Sequence, residues 1–142
     1  MRIFLDANVL FTASHNPEGK AAFVIELGHA DHFQLFTSDY ACEEARRNLS
    51  SRYPECLIRF AKLTKTIRMV RARPTAAVPK GLAEKDAPIF KAAVACRATY
   101  LLSGDLHHFG PFMNRPELTF SIRIQTVAEF LESLYSGSNL RK

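Results

Sequence analysis

Five aspartates occur in this chain, Asp6, Asp31, Asp39, Asp86 and Asp105, and two of them close short apolar runs. Ile3-Phe4-Leu5 ends on Asp6, and Thr99-Tyr100-Leu101-Leu102-Ser103 ends at Gly104-Asp105. Apolar runs without polar alternation read as strands buried on both faces. In a parallel sheet the carboxyl ends of such strands line one rim, where open α/β sheets place their chemistry. Asp86 opens the helix before the Asp105 strand, and Glu44 stands in the first turns of a helix after a second strand. Helices that follow strands start at that same rim, so Asp6, Glu44, Asp86 and Asp105 can converge there. Carboxylates gathered in this way repel one another and raise their pKa values unless a cation sits among them. Hard oxygen donors with no Cys or His cluster nearby suit Mg²⁺ or Mn²⁺ better than zinc. Such a site holds one or two ions and activates water for phosphodiester cleavage.

Each carboxylate also has a plainer explanation. Asp6 could simply cap a following helix. Asp86-Ala87-Pro88 has the form of an N-cap with proline in the first turn. Glu44 has Glu43 beside it, and the residues alone do not choose between them. Asp105 after Gly104 could be a turn residue. All four falling at one rim is what favours a shared site.

The elements that must position these residues alternate along the chain. After the first strand, residues 13–20 carry Asn16-Pro17 and Gly19 and read as a loop. A helix is expected over 21–27, stopped by Gly28 as a C-cap. A strand follows over 33–38, then a helix over 40–50, broken at Tyr53-Pro54. An amphipathic helix is expected over 55–64 and a short strand over 67–70. Residues 71–81 read as a loop, 87–97 as a helix, 99–103 as a strand, and 106–118 as a loop. Ser121–Gln125 reads as a last, edge strand, and 127–134 as a helix capped by Thr126. Residues 136–142 read as a polar, frayed tail on a single domain spanning 1–142. Alternating strands and helices predict an α/β fold with a mainly parallel sheet covered on both faces.

Composition narrows the class. An apolar fraction of 47% in 142 residues suits one packed core. No apolar run approaches the roughly 18 residues that span a bilayer, and Asp6 interrupts any signal-peptide core. The expectation is a soluble cytoplasmic protein with no membrane partner. Cys42, Cys56 and Cys96 lie far apart and odd in number, which predicts idle thiols rather than disulfides. The pI of about 9.3 suits a polyanionic partner.

The ordered set resembles the PIN-domain ribonucleases, including the VapC-like toxins of toxin–antitoxin pairs, over nearly the whole chain. Phe4-Leu-Asp-Ala-Asn-Val-Leu10 is similar to the family's opening strand, with its metal-binding aspartate and following Asn, here Asn8. Thr37-Ser-Asp-Tyr-Ala-Cys-Glu-Glu-Ala-Arg-Arg-Asn-Leu49 resembles its second motif and selects Glu44 over Glu43. Lys85-Asp-Ala-Pro-Ile-Phe-Lys-Ala-Ala-Val94 and Thr99-Tyr-Leu-Leu-Ser-Gly-Asp105 resemble the third motif and the closing strand. The resemblance implies a three-layer α/β/α sandwich and Mg²⁺- or Mn²⁺-dependent RNA endonuclease chemistry. It also implies a Ser103 hydroxyl that orients a metal-bound water, and a cognate antitoxin as partner. The chain departs from the pattern at Leu106-His107-His108-Phe109, where many members carry a further Asp or Asn. His107 and His108 invite a metal-ligand, general-base or phosphate-contact reading; the expectation is loop histidines with a structural role or none.

From Arg46 to Arg97 the chain carries a net +10 and elsewhere −5. Arg46 and Arg47, next to Glu44, are placed to hold RNA phosphates without reading sequence. The leading expectation is a metal-dependent endonuclease of single-stranded RNA, the toxin of a pair, with a second copy of the chain as a further candidate partner. The alternative is a nucleic-acid-binding PIN-like module with little or no nuclease activity. A phosphatase on a similar sheet is disfavoured, because no Asp-x-Asp pair follows the first strand.

Overall fold

In a computed structural model the backbone of residues 1–140 and the side chains of 1–136 are described. From Arg2–Leu5 (β1) the chain passes through Ala7–His15 (α1), Lys20–His29 (α2), Gln34–Ser38 (β2), Asp39–Arg52 (α3), Leu57–Thr64 (α4) and Arg68–Val70 (β3). It continues through Ala87–Ala95 (α5), Tyr100–Leu102 (β4), Leu106–Phe109 (α6), Arg123–Gln125 (β5) and Val127–Leu140 (α7). The polar tail expected at 136–142 overlaps the end of α7; its side chains from 137 onward, and Arg141 and Lys142 entirely, lie outside the described residues.

β1 is central because Ile3, Phe4 and Leu5 have no solvent exposure, and only a strand covered on both faces can bury all three. The sheet order is β3-β2-β1-β4-β5, and every pairing is parallel. Register places Ile3 beside Leu35 and Tyr100, and Phe4 beside Phe36 and Leu101. Successive side chains point to opposite faces, so these sets define the two sides of the sheet. On the first side Phe130 of α7 meets Tyr100 edge-on, with ring centroids 5.1 Å apart, and α2 lies against Leu35. On the second side the Arg2 guanidinium sits 4.5 Å from the Phe36 ring, and its Nε donates to the Cys96 carbonyl at the end of α5. Helices therefore cover both faces, giving the α/β/α sandwich.

The chain leaves β1 in one direction, to β2 and β3, then crosses back to β4 and β5 on the other side. The order reverses between β1 and β4. That gap is the topological switch point, where the carboxyl ends of neighbouring strands open a crevice. The strands expected at 67–70 and 121–125 are the two edges, shortened to three residues each.

Several boundaries differ from the sequence expectation. Residues 13–15, expected in a loop, complete α1. The helix expected over 55–64 begins as a 3-10 turn at Pro54–Cys56. The loop expected over 106–118 contains α6 and two 3-10 turns. Gly28 does not stop α2, which runs on to His29 with Ala30 as its cap. The glycine serves close packing instead: a Cβ there would lie 2.4 Å from Cγ and Cδ1 of Leu35. Gly28→Ala is expected to destabilise the fold by about 1–3 kcal/mol, as overpacking against a buried strand residue does. A denaturant midpoint unchanged from wild type would show that Leu35 yields freely. Burial pushes the thiols of Cys42 and Cys96 up to about 11, and all three cysteines are free. Among the described residues no helix is long and apolar enough to cross a membrane.

Candidate active site

Asp6 leaves β1 and immediately caps α1, so both roles considered for it meet in one residue. Its backbone is extended (φ −72°, ψ 163°), the conformation an N-cap needs. Oδ1 accepts from the Ala7 N–H at 2.7 Å. Oδ2 accepts from the Ser103 hydroxyl at 2.7 Å and the Asn8 amide at 3.2 Å. Asn8 in turn accepts from the Gly104 N–H at 2.6 Å, and Ser103 Oγ accepts from the Asp105 N–H at 3.0 Å. This lattice joins the ends of β1 and β4 across the switch point. Gly104 fits it because a Cβ there would lie 3.3 Å from Asn8 Oδ1.

Burial raises the Asp6 carboxyl to about 6, against the lowering effect of Ser103 and Ala7, with smaller upward pushes from Glu44 and Asp105. The unfolded value is 3.8. A pKa raised by folding means that the native state holds the proton more tightly. The contribution to stability is therefore complete below about pH 4 and is lost as pH rises through about 6. Metal-free protein is expected to lose on the order of 3 kcal/mol across that interval from this group. Asp6→Asn should flatten the pH dependence. Urea melts in chelator at pH 4.5 and pH 7 with equal midpoints would contradict this.

Asp105 caps α6, accepting from the His108 N–H at 3.1 Å through Oδ1, while Oδ2 lies 2.6 Å from His108 Nδ1. Burial pushes its carboxyl up, but the hydrogen bonds and charge of His108, with Lys85, outweigh this and hold it below the usual value. Asp86 behaves differently. It stands at the cap position of α5 yet makes no capping bond, because its backbone is already helical (φ −94°, ψ −9°). Only 8% of the residue is exposed, and Oδ2 is buried with no hydrogen-bond partner. Burial raises its pKa, opposed by His108 and Lys85. His108 Nδ1 is 3.8 Å from that oxygen. One donor atom each from Asp86, Asp105 and His108 can be chosen so that all lie within 4.8 Å of one another.

Sequence reasoning set His108 down as a loop residue with a structural role or none, and expected the carboxylates to repel without relief; the structure pairs His108 with Asp105 instead. The signal was its position three residues after Asp105, which brings the two together once α6 forms. Lys85 was also missed; its exposed ammonium biases both Asp86 and Asp105. Glu44 is half-buried and acts on Asp6 through its charge, whereas Glu43 is exposed and bound by Arg46. Arg46 Nε donates to Glu43 at 3.0 Å, so its charge is already matched. Arg47 is exposed and forms no ion pair among the described residues. His107 is exposed.

A sequence-family model described as PIN domain matches residues 2–107. No curated protein matches the sequence. Among solved structures, a chain of VapBC2 from Rickettsia felis bound to a DNA fragment from its promoter superposes with a TM-score of 0.63 at 11% identity, covering 89% of this chain and 98% of that one. A chain of VapBC-1 from nontypeable Haemophilus influenzae gives 0.57 at 13% identity, covering 90% and 99%. These likenesses concern the fold, while the family match spans the rim from Asp6 to Asp105: the chain belongs to the PIN-domain family.

Proposed function

We propose that this chain is a divalent-metal-dependent endoribonuclease of single-stranded RNA and the toxin of a toxin–antitoxin pair. The observation that carries the first part is the buried, unpartnered Oδ2 of Asp86, facing Asp105 and His108 beside the end of β1. A desolvated carboxylate oxygen without a donor is costly, and a cation is the group that makes it favourable. The donor set, with Asp6 and Asp86 buried and Glu44 and Asp105 half-buried, fits Mg²⁺ or Mn²⁺ held by these four carboxylates. A bound ion supplies Lewis-acid stabilisation of the phosphoryl charge and a water of lowered pKa.

The chain's own residues do the rest. Ser103, Asn8 and the Ala7 N–H fix both oxygens of Asp6, so the carboxylate is oriented before substrate arrives. The Asn8–Gly104 bond holds the turn after β4 in place. Arg47 and Lys85, both exposed, hold RNA phosphates near the rim. Arg47→Ala is expected to weaken RNA binding and to reduce the salt slope by about 0.7, the release from one single-strand phosphate contact. An unchanged slope would remove Arg47 from the interface. Hydrolysis leaves a 5′-phosphate and a 3′-hydroxyl.

The toxin assignment draws support from the family and from the fold shared with chains of VapBC assemblies. The basic segment from Arg46 to Arg97 suits an acidic antitoxin as well as RNA. The direct experiment is cleavage of single-stranded RNA with Mg²⁺ or Mn²⁺, with and without chelator, for wild type and Asp6→Asn. Equal cleavage in every lane ends the proposal. Growth arrest on expression, relieved by the product of an adjacent reading frame, tests the toxin part.

A second reading is favoured by one observation. His108 sits between Asp86 and Asp105, its Nδ1 3.8 and 2.6 Å from their oxygens, in the space a metal ion would take. A module that binds RNA but takes up neither Mg²⁺ nor Mn²⁺ at millimolar levels in calorimetry would replace the nuclease.

A further inference from the structure

We infer that His108 is itself a metal ligand, forming with Asp86 and Asp105 a mixed nitrogen–oxygen site that favours Mn²⁺ over Mg²⁺. The inference deepens the metal-dependent reading above and rests on it.

Three observations converge. Asp105 Oδ2 and Asp86 Oδ2 both face the same atom, His108 Nδ1, at 2.6 and 3.8 Å. The Asp86 oxygen is buried and has no donor of its own, so the pocket between the three groups lacks a positive partner that reaches Asp86 at bonding distance. The imidazole is held for this position by the backbone: Asp105 caps α6 through the His108 N–H, which fixes the residue carrying the ring relative to the carboxylate it faces. His108 is half-buried, whereas His107, one residue earlier, points to solvent.

The ligand type decides the metal. Mg²⁺ takes oxygen donors almost exclusively and gives up its waters reluctantly. An imidazole nitrogen raises affinity along the first-row series, from Mn²⁺ upward, more than it does for Mg²⁺. Replacing one oxygen donor by His108 therefore shifts the balance toward Mn²⁺. A histidine acting only as a counter-ion predicts the reverse effect of its removal, because a competing positive charge would leave and every divalent ion would bind more tightly.

The test uses the full chain stripped of metal with chelator, and Mn²⁺ or Mg²⁺ alone as the probe. Pulsed electron paramagnetic resonance of bound Mn²⁺ is expected to show a directly bonded nitrogen. That signal should change isotope in ¹⁵N-histidine protein, vanish in His108→Ala and survive in His107→Ala. By calorimetry His108→Ala should weaken Mn²⁺ binding roughly tenfold or more, at least the loss that removing a group behind a ligand brings, and weaken Mg²⁺ far less. His108→Asp should restore Mg²⁺ affinity and abolish the nitrogen signal. Mn²⁺ bound without nitrogen coupling, or tighter binding of both ions in His108→Ala, overturns the inference and leaves the metal-dependent reading standing. A wild-type protein that binds neither ion overturns both.

Discussion

Asp86→Asn will lower RNA cleavage by roughly a hundred- to a thousandfold, the scale on which removal of one preorganised electrostatic group acts, and will raise the melting temperature of the metal-free protein. The two effects have one cause. Asp86 is buried, its Oδ2 has no hydrogen-bond partner, and burial disfavours its charge more than His108 and Lys85 favour it. Without a cation the charge is a liability; with one it is a ligand. Asp105→Asn should differ in the second respect. Its carboxylate is held below the usual pKa by His108, so losing the charge costs metal-free stability. Carboxylate repulsion alone, as read from the sequence, forecasts a rise for Asp105→Asn. The histidine between the two carboxylates reverses that sign. Melting curves of both variants in chelator, beside cleavage assays in Mn²⁺, provide the check. A fall for Asp86→Asn with a rise for Asp105→Asn would show that the charges are distributed otherwise.

Adding Mn²⁺ to wild-type protein at a hundred times its Kd will stabilise the fold by about 2.7 kcal/mol, since the ion binds only the assembled rim. For a chain of this length the melting temperature should rise by something on the order of 10 °C. The rise should be larger at pH 7.5 than at pH 5.5, because Asp6 must shed a proton held up to about 6 before it can serve as a ligand. Differential scanning calorimetry at the two pH values measures both parts. A melting temperature indifferent to Mn²⁺ would mean that these side chains share a rim without sharing an ion.

Both strands that matter at the rim were legible, because Ile3–Leu5 and Tyr100–Leu102 are continuous apolar runs ended by a polar residue. Their alignment followed from parallel topology, and so did the meeting of Asp6 with Asp105. What escaped depends on contacts that no local pattern encodes. Asp86 has the sequence of a cap, but capping needs extended backbone, and a preceding 3-10 turn, Glu84–Asp86, had already wound it into helical angles. Gly28 has the sequence of a helix stop, yet its lack of a side chain answers to Leu35 on the strand beneath. His108 was read as a loop residue because α6 has only four residues, too short to show a periodicity.

The central place of β1 has a consequence for the chain while it is being made. β1 pairs with β2 on one side and β4 on the other, and the Ser103–Asp6 bond joins residues 97 positions apart. A ribosome releases Asp6 early and Asp105 late. Until β4 and the residues after it have been added, one edge of β1 has no neighbour, Asp6 lacks the hydroxyl that orients it, and two of the four carboxylates are still missing or undocked. Pairing across such a separation is the slow part of forming a sheet. The rim proposed to cut RNA is therefore incomplete in any nascent chain that stops short of Asp105.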